Sequence, residues 1–195
     1  MLHDAVSQNR TCRRFYENER IDRDTLVDLV DTARLVPSSG NRQPLKYCVV
    51  HDPALCARVF DCLSWAAALP DWPGPDQGER PSGYLVILHD KTLVLGELFT
   101  AWDEGIALQT IMLAAREKGY AACPIGAFKK KSLSEVLGID RETLEPDLVV
   151  ALGRPREEAV IEAMPTDGSP AYWRDDAQVH HVPKRSLDEV LIAQR

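Results

Sequence analysis

The most informative segment of this 195-residue chain is the loop Pro37-Ser38-Ser39-Gly40-Asn41-Arg42-Gln43-Pro44. Its serine, asparagine and glutamine side chains can both donate and accept hydrogen bonds. Gly40 permits a positive φ, and the flanking prolines stiffen both ends of the loop. Such a loop suits a planar ligand that forms hydrogen bonds, although an ordinary connection between a helix and a strand can have the same composition.

A basic segment lies N-terminal to this loop and reads Asn9-Arg10-Thr11-Cys12-Arg13-Arg14-Phe15. Arg10 and Arg13 are three positions apart, so at a helix end or tight turn they can point the same way. Guanidinium groups form forked hydrogen bonds with phosphate oxygens, and Thr11 adds a hydroxyl between them. The segment therefore predicts a phosphate site, with a solvated basic turn as the alternative.

Together these segments resemble those of the FMN-dependent nitroreductase family. There, a basic Arg-x-Ser-x-Arg-x-Phe-like stretch precedes a helix, and a Pro-Ser-Ser-x-Asn-x-Gln-Pro loop follows it. The resemblance implies that Arg10, Thr11 and Arg13 hold the flavin phosphate and ribityl chain. It also implies that the loop reaches the flavin of a partner subunit through Pro37, Ser38, Ser39, Asn41 and Gln43. This chain departs from the family at Asn9, where a further basic residue is common, and at Leu45, where Trp is common.

The periodicity of apolar residues predicts helices over 22–36, 53–63 and 97–118, and strands over 45–51, 83–90, 121–126 and 147–152. The run over 83–90 is continuously apolar, which is typical of a buried strand. Capping boxes are expected at Ser132 and Ser186, and residues 154–185 are interpreted as polar and largely irregular. The chain is thus predicted to be one α+β domain, with a central sheet flanked by helices.

The resemblance makes the sheet mainly antiparallel and extends the domain over 1–195. It also implies that the C-terminal tail, residues 154–195, wraps the partner subunit of a homodimer. Asp103 begins an Asp-x-Gly-x-Ala-x-Gln pattern in the long helix, which we interpret as packing at the subunit interface. The loop 70–82 is rich in proline, and Trp65 and Trp72 are candidates for a pocket lid, with simple packing as the alternative.

The segment after the long helix reads Cys123-Pro124-Ile125-Gly126-Ala127-Phe128 and is similar to the family's Pro-x-Glu-Gly-Phe stretch. Gly126 stands where many members have Glu. We expect the backbone of Ile125, Gly126 and Ala127 to lie against the flavin, because backbone N–H groups can donate hydrogen bonds near its N5 atom. The alternative is a plain turn from strand to helix.

Basic residues near the C-terminus commonly return to the phosphate in this family. The resemblance assigns that role to Arg185 first and Lys184 second, with a solvated basic pair as the alternative. His180 and His181 are adjacent, so on a strand they would face opposite ways. No metal site is therefore predicted.

The net charge of −7 argues against nucleic acid or an anionic membrane surface as the main partner. The five cysteines include no Cys-x-x-Cys pair, which favours reduced thiols over a disulfide scaffold or zinc ribbon. No apolar run is long enough to span a bilayer, and the N-terminus lacks a signal-peptide core. We expect a cytoplasmic protein.

The implied function is an FMN-dependent oxidoreductase that transfers electrons from NAD(P)H to a nitroaromatic, quinone or similar electron-poor acceptor by a ping-pong mechanism. Because the cofactor carries the chemistry, no catalytic side chain is predicted. Two alternatives stay open. One is a flavin-binding protein without turnover, for storage, sensing or flavin processing, and the other is an interaction module that binds no flavin.

Overall fold

A four-stranded sheet forms the centre of the chain. In the computed structural model, which describes residues 1–65 and 72–193, its strands are β1 (Leu45–Val50), β2 (Gly83–Asp90), β3 (Ala121–Ile125) and β4 (Leu144–Gly153). They lie in the order β1-β2-β4-β3, and each neighbouring pair is antiparallel. The predicted antiparallel sheet is therefore confirmed, and β1 and β3 form its two edges.

The chain forms six α-helices in its described part, and four of them pack on the faces of this sheet. The six are α1 (Leu2–Gln8), α2 (Arg23–Ala33), α3 (Pro53–Phe60), α4 (Glu97–Glu117), α5 (Lys130–Leu137) and α6 (Leu187–Val190), with a 3-10 turn at Ser39–Asn41. Helices α2 and α4 contribute to the core on one face, while α3 and α5 contribute to the core on the other. This arrangement confirms the predicted α+β class.

Strand β2 is buried on both of its faces. Tyr84 and Val86 belong to the core on the side of α3 and α5, whereas Leu85 and Ile87 belong to the core on the side of α2 and α4. All four are fully buried. Since successive side chains of a strand point to opposite faces, a continuous apolar run is what a strand covered on both sides requires. Each such side chain contributes about 1.5–3 kcal/mol by leaving water.

Several helices begin at the residues that the sequence indicates. Asp22 caps α2 by accepting a hydrogen bond from the Thr25 N–H at 2.7 Å. Pro53 occupies the first turn of α3, where its missing N–H costs nothing. Ser186 forms the expected capping box with Glu189 at the start of α6.

One expected cap is wrong. Helix α5 begins at Lys130 and its N-cap is Lys129, so Ser132 lies inside the first turn. Ser132 is thus the third residue of the helix and not the residue before it, which is where a capping side chain must stand.

The C-terminal tail contains a second sheet, so the interpretation of 154–185 as largely irregular is wrong. Its strands are β5 (Ala159–Ala163), β6 (Trp173–Arg174) and β7 (His180–Lys184), in the order β5-β7-β6. As predicted, the two histidines of β7 face opposite ways. His180 is 3% exposed, whereas His181 stacks on Trp173 with ring centroids 4.0 Å apart.

Residues 66–71 lie outside the described part of the chain, and so do 194–195. The predicted loop 70–82 therefore begins on residues that the structure does not describe. At its borders, Trp65 and Trp72 pack edge to face with centroids 6.5 Å apart, and Trp65 also contacts Phe60. Across the described ranges, none of the helices has both the length and the apolar character needed to cross a membrane.

Candidate functional site

Arg13 presents unused hydrogen-bond donors in a buried setting. Its backbone N–H donates to the carboxylate of Glu157 in the C-terminal tail. Its guanidinium carbon lies 5.1 Å from the centre of the Tyr172 ring, a cation–π arrangement. The Nε and Nη1 atoms are buried and have no hydrogen-bond partner among the described residues. Because buried donors without partners are costly, this group is suited to receive an anion.

Arg10, three residues earlier, is in a similar state. Its Nη2 atom donates to the Val6 carbonyl at 2.7 Å, while Nε is buried without a partner in the described chain. Burial lowers the pKa of the Arg10 guanidinium, since a partly desolvated cation is less stable. Thr11 is half-buried, and the Cys12 N–H donates to the Ala122 carbonyl at 3.0 Å. That bond fixes the basic segment against β3.

The loop 37–44 has an unusual backbone. Gly40, Asn41 and Gln43 all have positive φ, at 58°, 53° and 52°. For the two residues that carry a Cβ, this conformation costs on the order of 1 kcal/mol each and persists only where other contacts impose it. Here Gln43 N–H donates to Ser38 Oγ at 3.1 Å, and Gln43 Nε2 lies 3.3 Å from Asn41 Oδ1. Strained conformations of this kind cluster at functional sites.

Asp103 holds this loop from helix α4. Its carboxylate oxygen Oδ1 accepts hydrogen bonds from the Ser39 N–H at 2.8 Å and from the Ser39 hydroxyl at 2.9 Å. The side chain is 2% exposed, so these bonds are shielded from water. The sequence motif led us to interpret Asp103 as interface packing, whereas the structure gives it a distinct role as the anchor of the loop.

A cavity of about 200 Å³ adjoins the loop. Residues from α2, the loop, β1 and α4 line it, among them Ala33, Pro37, Ser38, Gln43, Tyr47 and Asp103. Burial raises the pKa of Tyr47 to about 12, and its hydroxyl, like that of an ordinary tyrosine, is a hydrogen-bond donor at neutral pH. The cavity thus has both apolar and polar walls, so it could contact a ligand through packing and through hydrogen bonds.

The turn after β3 offers open backbone. Ile125 is buried, while Gly126 and Ala127 are exposed. An added Cβ on Gly126 would meet no atom within 4 Å. The Ala127 carbonyl accepts the Ser64 N–H at 2.9 Å, which fixes the turn while leaving its outer side free for a ligand.

The predicted basic pair near the C-terminus is exposed. Lys184 ends β7, and Arg185 Nη1 lies 3.3 Å from Glu189 Oε1 in the first turn of α6. Their assignment to a phosphate stays a prediction, because this ion pair holds Arg185 at its own helix.

Sequence reasoning missed the tail residues that surround Arg13. The side chain of Glu157 is 3% exposed, and its carboxylate accepts from both Arg174 and the Arg13 N–H. His180 packs on Tyr172 with ring centroids 5.0 Å apart. Burial and the nearby Arg174 charge lower the pKa of His180 to about 4, so it is neutral at pH 7. No local pattern marks these residues, because their partners are distant in sequence.

The two predicted binding segments lie at opposite edges of the sheet. The basic segment is bonded to β3, and the loop leads directly into β1. With two strands between them and a strand spacing of about 4.8 Å, these edges are about 14 Å apart.

Comparison with known proteins gives consistent matches. The model of the family described as "Nitroreductase family" matches residues 6–154. The "Putative NADH dehydrogenase/NAD(P)H nitroreductase" of Archaeoglobus fulgidus is 28% identical over 151 residues, covering 74% of this chain and 80% of that protein. Iodotyrosine deiodinase 1 of Sus scrofa is 22% identical, covering 98% of this chain and 68% of that protein.

A solved structure shares the fold over the whole chain. It is described as a "putative nitroreductase in complex with FMN" from Desulfovibrio desulfuricans, and it superimposes with a TM-score of 0.71 at 20% identity. The match covers 100% of this chain and 96% of that one.

Proposed function

Because the chain belongs to the nitroreductase family, we propose that it is an FMN-dependent NAD(P)H oxidoreductase. The structural relative from Desulfovibrio desulfuricans is described with FMN bound, and the Archaeoglobus fulgidus relative is named for NAD(P)H. Both support the same class of cofactor and reductant for this chain.

The observation that carries the proposal is that two nitrogen atoms of the Arg13 side chain, Nε and Nη1, have no hydrogen-bond partner among the described residues. A half-buried guanidinium in this state fits the terminal phosphate of FMN, because charge-assisted bonds to phosphate satisfy both the charge and the donors. Arg10 adds a second cation, whose Nε likewise has no partner in the described part of the chain, and Thr11 adds a hydroxyl. These residues would hold the phosphate and ribityl chain, with Lys184 or Arg185 as a further contact.

The loop 37–44 would complete the site from a second subunit. Its separation from the basic segment across the sheet supports this arrangement. Helix α4 supplies a surface for such a dimer, because Leu98, Trp102 and Ile106 recur at helical spacing and are 60%, 53% and 43% exposed. Exposed apolar stripes of this kind mark interfaces. Asp103 lies next to this stripe, so dimerisation would also fix the loop.

When bound, FMN would supply the electron carrier for both halves of a ping-pong cycle, from NAD(P)H to a nitroaromatic, quinone or similar acceptor. The protein groups would position and stabilise it. The backbone of Ile125, Gly126 and Ala127 would lie along the flavin ring. Arg10 and Arg13 would stabilise the negative charge of the phosphate. The loop residues Ser38, Asn41 and Gln43 would form the polar wall of the partner's site.

Two further expectations belong to this proposal. The C-terminal tail would contact the partner subunit through the exposed apolar residues of α6, Leu187 and Val190. The five free thiols support a cytoplasmic location, where cysteines stay reduced.

The decisive test is an absorbance spectrum of purified protein followed by anaerobic titration with NADH or NADPH. We expect a yellow protein that is bleached by one of these reductants and recovers its colour when a quinone or nitroaromatic is added. A yellow protein that neither reductant bleaches would instead favour flavin storage or processing. Colourless protein that gains no thermal stability from added FMN would refute the proposal, since a ligand bound by the native state must stabilise it.

A further inference from the structure

Three potential metal ligands converge at one end of the central sheet. His89 comes from β2, Glu104 from α4 and Asp147 from β4. Each offers a nitrogen or oxygen atom, and these atoms all lie within 4.8 Å of one another. All three residues are half-buried, so they are not simply solvated surface groups.

A β-bulge turns Asp147 toward this cluster. Ile87 pairs with Leu148, whereas the next residue, Leu88, pairs with Pro146. Asp147 is therefore an extra residue without a partner on β2. Bulges of this type redirect a side chain and are frequent next to functional sites. The bulge brings the Asp147 carboxylate to 2.5 Å from His89 Nδ1.

The charges around the cluster are unevenly distributed. Glu145 has three cationic partners within 4 Å, namely Lys91, Lys130 and Arg141. Asp147 lies 3.6 Å from the Lys130 ammonium, which also pairs with Glu145, and 2.5 Å from Nδ1 of His89. Glu104 has no lysine or arginine partner within 4 Å in the described ranges, 1–65 and 72–193. Glu104 and Asp147 therefore have fewer cationic partners than Glu145, and carboxylates held close together repel unless a positive charge or a shared proton lies between them.

A cavity of about 440 Å³ opens onto the same groups. Its walls include Thr100 and Ala101 of α4, together with Lys130 and the three potential ligands. The cavity is large enough to admit a hydrated ion. Ligands about 2.1 Å from a tetrahedral metal lie about 3.4 Å from each other, so side-chain adjustments of about 1 Å would bring the three donors into that range.

We propose that His89, Glu104 and Asp147 bind a divalent first-row transition-metal ion. One imidazole and two carboxylates form a ligand set suited to Zn²⁺, Mn²⁺ or Fe²⁺, and water can fill the remaining positions from the cavity. The ion would join β2, β4 and α4. It does not depend on the proposed flavin chemistry, because none of the three residues belongs to the flavin site.

The ion would lie near the open turn that follows β3. Val149, two residues after Asp147, pairs with Ile125, so the cluster lies at the sheet end where the open turn at Gly126 begins. A bound cation there would add positive charge to this end of the sheet.

The proposal can be tested on untagged, flavin-free protein treated with a chelator and then titrated with ZnCl₂ or MnCl₂ in a calorimeter. We expect one ion per chain and a rise in Tm with metal concentration, because the ion binds the native state. Glu104→Gln and His89→Gln should each weaken binding at least tenfold. Glu97→Gln, which alters a carboxylate lining the same cavity outside the trio, should leave the affinity unchanged.

Lys130→Met should raise the affinity for the metal. The Lys130 ammonium competes with an incoming cation for Asp147, so its removal should tighten metal binding severalfold. X-ray absorption of the wild-type protein should show one nitrogen ligand from imidazole, a readout that does not depend on the variants folding. Absence of saturable binding of both ions, or equal affinity in wild type and Glu104→Gln, would overturn the proposal.

Discussion

Replacing Asp103 by alanine should loosen the loop 37–44 and weaken the cofactor site together. The substitution removes the acceptor for the Ser39 N–H and the Ser39 hydroxyl, which lie 2.8 and 2.9 Å from the same carboxylate oxygen. Asp103 is 2% exposed, so water would not readily replace it. The strained residues Asn41 and Gln43 would then lose the contact that holds their segment in place.

The magnitude follows from these two bonds. A hydrogen bond to a charged group contributes about 1.5–3 kcal/mol. Because both donors share one oxygen, their contributions do not add fully, and we expect Asp103→Ala to lower the free energy of unfolding by about 2–4 kcal/mol. Asp103→Asn keeps an acceptor oxygen without the charge and should lose about 1–2 kcal/mol. If about 1.4 kcal/mol of the lost stability is needed to hold the loop in its binding conformation, the affinity for FMN falls tenfold.

Urea denaturation of the flavin-free protein and a fluorescence titration with FMN would measure the two effects. Asp22→Ala is a matched control, because the exposed Asp22 accepts from the N–H and hydroxyl of Thr25 in the same way. That change should cost about 1 kcal/mol, as helix caps do, and leave FMN affinity unaltered. An Asp103→Ala protein that is no less stable than Asp22→Ala and binds FMN as the wild type does would refute the role of Asp103 as the anchor of the loop.

Three further predictions concern other parts of the molecule. Arg13→Ala should weaken FMN binding at least about tenfold through loss of charge-assisted bonds. Lys131→Ala, at an exposed lysine, should not weaken it, and equal Kd values for the two variants would contradict the assignment of Arg13 to the phosphate. The proposed dimer should dissociate into monomers in sedimentation velocity when Trp102→Lys places a charge in the apolar stripe, whereas Tyr16→Lys, also at an exposed aromatic residue, should leave it intact. A dimer that Trp102→Lys leaves unchanged would rule out α4 as the interface. Burial lowers the pKa of His180 from 6.5 to about 4. As the pH drops from about 6.5 to 4, His180 therefore gains a proton in the unfolded chain but not in the folded one, and the free energy of unfolding should fall over this interval. The urea midpoint of His180→Gln should fall less steeply than that of the wild type over that interval. Midpoints that fall equally steeply in both proteins would argue against a buried neutral imidazole.

Much of the central fold was accessible from the sequence because its signals are local. Strand β2 is a continuous apolar run, and the caps at Asp22 and Pro53 act within a single turn. The loop 37–44 was singled out by its match to a family motif, since its residue types alone also suit an ordinary connection. In each case the information lies within a few neighbouring residues, so no tertiary contact is needed to interpret it.

The remaining features depend on residues far apart in the chain. Ser39 and Asp103 are 64 positions apart, and Arg13 and Glu157 are 144 apart. The bulge at Asp147 exists only in the pairing with β2. The tail strands are short, and several of their residues are exposed, so their periodicity carries little signal. They form through hydrogen bonds to partners that the local sequence does not specify.

The hydrogen bond between the Arg13 N–H and Glu157 also sets an order of assembly during protein synthesis. Arg13 emerges from the ribosome early, whereas Glu157 and Arg174 emerge only when most of the chain has been made, and contacts of such long separation form late. Until then, the buried setting of the Arg13 guanidinium cannot exist. If Arg13 holds the phosphate as proposed, a nascent chain would complete this part of the site only after the tail is made, so the cofactor would bind after the sheet has folded.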